Sequence, residues 1–507
     1  MPRLFVFAVG GTGSRVLKAL TMLLAAGVRP NTKEDYEIIP IIVDPHKSNE
    51  DLKRTVRLLG NYQRIAKHAK RGSGFFGTRM TTMDQLVTSR NKFSDSFTFG
   101  LQEIANTRFK DYIGYNGLDI ANRCLADLLF SGTTINKLGE EVDLLEIEMD
   151  IGFVGNPNVG SVVLNQFKDS EEFREFAGNF NNQGSNDRVF IISSIFGGTG
   201  AAGFPTILKN IRDAAYNEQI DRKGFLRDSI IGALTVMPYF NIEKSDKSPI
   251  KQSDFISKTK AALHYYKQNV TDDLSRPLNA MYYIGDTLIG KAYENDPGDN
   301  GQKNDAHFVE LASALAVIDF LEIPDYELKT ESGSAVRPIY KSFSIREDTS
   351  QLNFMSLEDE TGHQIQGPLS QLTLMFRYLN ESMASSLGKQ AWSTTMPIID
   401  SDFMEDDFYR SSVREFFQSY GEWLSEMANN ERGFSPFALN SAIDAFIVGK
   451  SSKKTKFLMQ RSVSHDDVNH ELGVAAQTDT YASSEEKFLS VFYQATKEVL
   501  SKYYGIR

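Results

Sequence analysis

The pattern of the first 44 residues narrows the fold more than anything else in the chain. An apolar run from Leu4 to Val9 ends in Gly10-Gly11-Thr12-Gly13-Ser14-Arg15. Val16, Leu17, Leu20, Leu23 and Leu24 then recur at helical spacing, and a second apolar run, Ile38 to Val43, ends at Asp44. Strand, helix, strand in this order is a βαβ unit, normally right-handed and parallel. Glycines between strand and helix let main-chain N–H groups come close to a phosphate, because glycine has no Cβ to clash. The helix start adds unpaired N–H groups and a partial positive charge.

A second turn of this kind lies far downstream. Val189 to Ile195 reads as a strand, followed by Gly197-Gly198-Thr199-Gly200 and a helix from about Pro205 to Ala214. Two such turns on one chain point to a nucleotide whose phosphates are held from two sides. Ile147 to Phe153 reads as another strand, leading to the turn Gly155-Asn156-Pro157-Asn158-Val159-Gly160. Ser229 to Val236 and Ala280 to Ile284 complete the strands of this half. Arg123 to Phe130 reads as a buried helix, Phe255 to Tyr266 as a helix and Glu294 to Lys303 as a polar loop. Asp305 to Leu321 is a strong helix with Phe308, Leu311, Leu315 and Ile318 on one stripe.

Strand–helix alternation up to about residue 322 predicts a doubly wound α/β domain. Beyond it, Val336 to Ile345 alternates like a strand, while Leu369 to Met383 and Phe403 to Met427 read as helices. The last helix opens with a capping box, Ser483 with Glu486, and buries Phe488, Val491, Phe492, Ala495 and Val499.

A length of 507 residues suggests two or three domains, and 41% hydrophobic content is ample for their cores. A formal charge of −11 opposes a broad nucleic-acid-binding surface. The basic stretch from Lys53-Arg54 to Lys70-Arg71 is either a solvated helix face or a surface for an acidic partner. With Cys124 as the one cysteine, neither a disulfide framework nor a thiolate cluster can form within the chain. The seven histidines show no HExxH or paired ligand spacing. The start of the sequence lacks a signal-peptide layout, and no segment approaches the ~20 apolar residues that span a bilayer. The expected compartment is the cytoplasm.

Taken in order, five stretches resemble the tubulin/FtsZ superfamily. Phe5 to Gly13 resembles its first phosphate loop. Ile41-Ile42-Val43-Asp44 resembles its second strand, whose terminal acid lies near magnesium. Gly152 to Gly160 resembles the loop that senses the terminal phosphate. Ser193 to Ala202 resembles the signature GGGTGSG, with Phe196, Ala201 and Ala202 in place of a glycine, the serine and a glycine. Ala233 to Phe240 resembles the strand and proline turn that follow. The match spans roughly residues 1 to 325 and points to a divergent bacterial tubulin-like protein.

The resemblance implies a tubulin/FtsZ-like α/β fold: a doubly wound, mainly parallel sheet, a central helix, and an α+β and helical C-terminal region. Residues 1–303 would form the nucleotide-binding domain with an insertion near 50–140, 304–322 the central helix and 323–507 the C-terminal domain. The implied cofactors are GTP or GDP with Mg2+. Gly10, Gly11, Thr12, Gly13 and Ser14, with Gly197, Gly198, Thr199 and Gly200, would hold phosphates. Asp44 would order the water shell of Mg2+, and Gly155 and Asn156 would meet the γ-phosphate. Asn304 and Phe308 would read and stack on the base, Phe308 having an equal claim to the core. Hydrolysis in this family is completed across a subunit contact by an acidic loop after the central helix. The family's acidic motif has no clean match, and Asp325 and Glu327 are the acids directly after that helix.

The implied partner is a second copy of the chain, joined head to tail into filaments or rings. The C-terminal region is a further candidate protein contact. Two other functions compete. One is a non-polymerising scaffold gated by nucleotide. The other is a Rossmann-type NAD-dependent oxidoreductase, which Gly11-Thr12-Gly13 and Asp44 imitate but in which Val16 stands at the third glycine position.

Overall fold

The computed structural model describes residues 1–32, 34–45, 49–86, 97–104, 106–136, 140–149, 152–181, 184–214, 223–242, 252–270, 278–286, 292–293, 304–329, 337–343, 351–430, 432–452, 455–456, 459–460 and 462–506. The polar stretch 294–303 lies outside them.

Six parallel strands form the central sheet: β1 (Arg3–Val9), β2 (Glu37–Val43), β3 (Arg188–Ser194), β4 (Ile230–Val236), β5 (Ala280–Ile284) and β6 (Ile339–Phe343). Their order across the sheet is β6-β5-β4-β3-β1-β2. Residues of β1 to β4 are buried along their whole length apart from Arg3, as expected of apolar strands covered by helices on both faces. Beyond β2, the described residues make two single bridges, Ile38 to Met80 and Ile42 to Thr98.

The helices of eight or more residues are α1 (Gly10–Ala25), α2 (Glu50–Ala66), α3 (Ile120–Leu129), α4 (Pro157–Leu164), α5 (Glu171–Asn179), α6 (Gly198–Asp213), α7 (Gln252–Asn269), α8 (Phe308–Glu322), α9 (Asp359–Glu381), α10 (Arg414–Ala428), α11 (His465–Ala475) and α12 (Ser484–Val499). Helix α8 is the expected central helix and is buried on all sides: Val309, Ala314, Val317 and Phe320 are as enclosed as the predicted stripe. It begins at residue 308 rather than 305 because His307 caps it. The His307 Nδ1 accepts from the Val309 N–H at 3.0 Å, and Glu310 accepts from the His307 N–H at 3.3 Å. It runs antiparallel to the strands and spans the sheet from end to end.

Past β6 the C-terminal region is helical, and its strands among the described residues are two residues long. Tyr378 and Trp392 pack on Phe492, and α12 buries all five residues of its predicted face. Ser483 caps α12 by accepting from the Glu486 N–H at 3.2 Å.

Two expectations fail. Ile147 to Phe153 forms no ladder among its described residues: Glu148 makes one bridge to Arg108, and Gly152–Gly155 is a 3-10 turn. Ile147, Met149 and Phe153 are buried, which gives the sequence a strand's alternation. Helix α3 is not buried, and its apolar residues face outward. The basic stretch on α2 is largely the solvated face expected, with Lys53, Arg57, Arg64, Lys67 and Lys70 exposed, and part of it meets the C-terminal helices. Arg54 pairs with Glu426 of α10, and the Arg64 Nε donates to the Ser412 Oγ at 2.9 Å.

Candidate functional site

Strand β1 connects to β2 on one side, while β3 lies on its other side. The carboxyl ends of β1 and β3 therefore flank the point where the winding reverses, where open α/β sheets bind ligands. Both glycine turns emerge here. Gly10, with φ +71°, is so close to the second turn that a Cβ on it would lie 3.4 Å from the Thr199 Cβ and 3.6 Å from the Gly200 N. The third turn joins them. A Cβ on Gly198 would sit 2.9 Å from the Asn156 N and 3.0 Å from Gly155, which itself has φ +71°.

The three helices that start at these turns share a property. Helices α1, α4 and α6 have no side-chain hydrogen bond at the N-cap and no acidic residue in the first turn. Eight of the other nine helices have a neutralised start. Helices α2, α3, α5, α8 and α12 carry a side-chain cap, and α9, α10 and α11 have acids in the first turn. Each open helix start leaves N–H groups and about half a positive charge unanswered. Three of them converge on one spot.

Not every glycine serves that spot. A Cβ on Gly13 would meet the Ala8 carbonyl carbon at 2.7 Å, and one on Gly200 would meet the Ser194 backbone and hydroxyl at 2.7 to 2.8 Å. These two glycines let α1 and α6 lie directly on the sheet. Gly11 is different, with its nearest neighbours, Arg15 and Asn49, 3.8 Å from a Cβ position. Gly197 stands over the Ser194 Oγ. Thr12 and Thr199 are buried, and the fully buried Ser14 Oγ finds no hydrogen-bond partner.

Beside the first turn lies a buried ionic cluster that sequence reasoning missed. The Arg15 Nε binds the Glu310 Oε1 at 2.7 Å, its Nη1 the Asp51 Oδ2 at 3.3 Å and its Nη2 the Tyr239 hydroxyl at 2.8 Å. Tyr239 donates onward to Glu310 at 2.8 Å. Burial works against the Arg15 charge, but Tyr239, Glu310 and Asp51 outweigh it and hold the guanidinium protonated. Burial pushes the Asp51 carboxyl up, and Arg15 opposes the shift. Asn304 donates to Asp51 from its side chain at 3.1 Å. The sequence signal was a charged residue, Arg15, inside the first turns of a helix whose only other charge is Lys18. Lys258 of α7 also enters the site, donating to the Gly155 carbonyl at 2.7 Å. Nothing in its local sequence marks it.

The remaining candidates fall into two places. Asp44 is buried at the carboxyl end of β2, one residue past the Val9–Val43 register pair and so beside Gly10. Phe308 is buried with its ring against Phe434 at 5.0 Å and Phe343 at 6.0 Å, in line with the core role weighed beside base stacking. Asp325 lies at the other end of the sheet. Its Oδ1 accepts from the Arg188 Nη2 at 2.6 Å, and Arg188 is the first residue of β3. Glu327 is exposed on the adjoining short helix Asp325–Leu328. Among the described residues no group of three or more His, Cys, Asp or Glu could hold a metal ion, and no helix is long and apolar enough to cross a membrane.

No protein-family model and no curated protein sequence matches the chain. Solved structures do. CetZ from Methanosaeta thermophila overlaps 65% of this chain and 56% of its own, at 10% identity and a TM-score of 0.29. CetZ2 from Haloferax volcanii, a GTPγS-bound protofilament, overlaps 66% and 61% at 12% identity and a TM-score of 0.29. A GTPγS-form protofilament of Bacillus thuringiensis serovar israelensis TubZ overlaps 84% and 81% at 14% identity and a TM-score of 0.26. The chain thus spans less than two thirds of the CetZ chains.

Proposed function

We propose that the chain binds GTP at the carboxyl ends of β1 and β3 and assembles head to tail under control of that nucleotide. The observation that carries this reading is the meeting of three helix starts with neither cap nor acid, α1, α4 and α6. An anion at such a start gains roughly 0.3–1 kcal/mol per helix, and more where partly buried. A polyphosphate is the anion long enough to meet both strand–helix turns and the Gly155–Asn156 turn together. Gly10 to Ser14 and Gly197 to Gly200 would donate to it, with Asn156 and Lys258 at its terminal group. Mg2+ fits one carboxylate, Asp44, because it keeps several waters and shares phosphate oxygens; bound there it would neutralise phosphate charge.

Head-to-tail assembly draws support from the placement of acids. Asp325 and Glu327 lie near the amino end of β3, seven residues or about 23 Å from the glycine turns. Within one subunit they cannot reach the nucleotide, whereas a copy stacked end on end would present them to its neighbour's site. The guanine preference comes from the family resemblance.

Calorimetric titration with GTP, GDP and ATP, paired with sedimentation with and without nucleotide, tests the reading. It expects guanine-nucleotide binding and a GTP-dependent sedimentable species. Failure to bind GTP or GDP removes the site. Binding without any sedimentable species leaves the nucleotide-gated scaffold in its place.

A further inference from the structure

Lys258 comes to the glycine turns from a helix that begins at none of them. Helix α7 is laid along α6 by Tyr266, whose ring packs on Phe204 at 5.2 Å and whose hydroxyl donates to the Ala201 carbonyl at 3.4 Å. Just over two helical turns earlier, the Lys258 Nζ donates to the Gly155 carbonyl at 2.7 Å. That carbonyl belongs to the turn that meets the start of α6: a Cβ on Gly198 would lie 3.0 Å from the Gly155 carbonyl carbon. With the length of a carbonyl bond and of this hydrogen bond, the ammonium stands at most about 7 Å from that Cβ position. Gly198 is the first residue of α6, so Lys258 is within one side-chain movement of the N–H groups proposed for phosphate. Arg15 is not placed for this part, because Glu310, Asp51 and Tyr239 hold its guanidinium.

Resting on the nucleotide reading above, we propose that Lys258 is the residue by which this site tells a nucleoside triphosphate from a diphosphate. Its acceptor in the structure is a neutral main-chain carbonyl, and an ionised acceptor makes a hydrogen bond roughly twice as strong. The ammonium is a compact charge on a flexible stem, so it exchanges one acceptor for another at little cost. A diphosphate leaves Lys258 on the Gly155 carbonyl. The third phosphoryl group brings further negative charge to the Gly155–Asn156 turn, and the ammonium moves to it. Gly155 then gives up this donor, and the turn that begins α4 loses its tie to α7. One exchange of acceptor therefore has two effects. It adds a charge-assisted bond that only the triphosphate accepts, and it makes the hold on the Gly155 turn depend on the nucleotide's terminal group.

Calorimetry of the full-length chain with GTPγS and with GDP, each in the presence of Mg2+, reads the discrimination. The wild type is expected to bind GTPγS at least about tenfold more tightly than GDP. Lys258→Met should weaken GTPγS about tenfold and leave GDP affinity unchanged, because the bond it removes is made to the terminal group alone. Lys258→Arg keeps the charge and should keep a preference for GTPγS. Lysine acetylation of the wild type, read by mass spectrometry, needs no substitution: GTPγS should protect Lys258 more than GDP does. Three results would each overturn the proposal while leaving the nucleotide site in place. They are an equal loss of both nucleotides in Lys258→Met, unchanged GTPγS affinity in that variant, and equal protection of Lys258 by the two nucleotides. A wild type that binds neither nucleotide removes the site and the proposal together.

Discussion

A buried arginine meets helix α8 at each end of the central sheet, Arg188 at one and Arg15 at the other, and the two ends use it differently. At the amino end, Arg188 donates to the Phe320 carbonyl at 2.8 Å, to the Ile323 carbonyl at 2.9 Å and to the partly exposed Asp325. Its partners are mainly the last carbonyls of α8, so that end is closed on itself. At the carboxyl end, Arg15 faces two buried acids, Glu310 and Asp51, while three neighbouring helix starts carry no acid at all. Glu310 and Asp51 there are drawn to Arg15, while Asp44 lies beside Gly10. One end is finished as protein; the other leaves three helix starts without a side-chain cap. Helix α8 connects them, with Glu310 near its start at Arg15 and its last carbonyls at Arg188.

Removing each arginine in turn is the hardest test of that contrast. Arg15→Met leaves two buried carboxyls without their counter-ion and should cost about 3–5 kcal/mol in urea denaturation. Arg188→Met leaves two carbonyls and one acid that can turn to water, and should cost about 1–3 kcal/mol. Equal losses would mean that the two ends are alike in kind.

Protonation sharpens the same contrast, because the carboxyl end holds a buried histidine. Burial pushes the His307 imidazole down to about 4 from an ordinary 6.5. The folded state therefore keeps it neutral, in line with its Nδ1 accepting from Val309, while the unfolded chain takes up a proton below pH 6.5. This contribution is complete above pH 6.5 and is lost as the pH falls towards 4, by up to about 3 kcal/mol. His307→Asn keeps a capping side chain without the titration. Its stability should fall less steeply than the wild type's between pH 7 and 4, measured by urea midpoints, and parallel curves would refute the assignment.

These contrasts were partly legible in the amino-acid order. Strands β1 to β5 show as apolar runs because both faces of the sheet are covered, and the two glycine turns show because they interrupt those runs at fixed places. That the turns meet follows from β3 lying beside β1, which no local pattern encodes. Arg15, Asp51, Tyr239 and Glu310 come from four separate segments, so their cluster exists only once the sheet is wound. Phe308 carried two readings on the same helical stripe, and packing against Phe434, from the far C-terminal region, decided for the core. Helix α3 misled for the opposite reason: its apolar periodicity suggested a buried face that the fold leaves exposed.

An added acid tests the open end with less disturbance. Gly11→Asp places a carboxylate in the first turn of α1, where a Cβ has 3.8 Å of clearance on its nearest side and φ is not left-handed. A first-turn acid should raise fold stability by about 0.3–1 kcal/mol through the helix dipole. The same charge would occupy the place proposed for phosphate and lower GTP affinity at least about tenfold, or 1.4 kcal/mol. Stability and affinity should thus move in opposite directions. If both fall, the turn is strained rather than open to anions; if affinity stays constant, phosphate lies elsewhere.

The smallest effect on a single subunit is expected at the closed end, and it separates the two ends most cleanly. Asp325→Asn keeps the shape of the side chain and a hydrogen bond to Arg188 while removing its charge. Asp325 is about one third exposed and also has Lys329 at 3.5 Å, so the loss should be under about 1 kcal/mol. Nucleotide affinity of the isolated subunit should not change, because the acid lies a strand's length from the turns. Under the head-to-tail reading it sits against the neighbour's nucleotide, where a carboxylate orients water in line with the terminal phosphate. Phosphate release measured against subunit concentration then distinguishes the cases. A variant that binds GTP normally and assembles, yet releases phosphate at least about tenfold more slowly only where subunits associate, places the acid across the contact. Unchanged release at every concentration returns Asp325 to its one visible task, pairing Arg188 at the foot of β3.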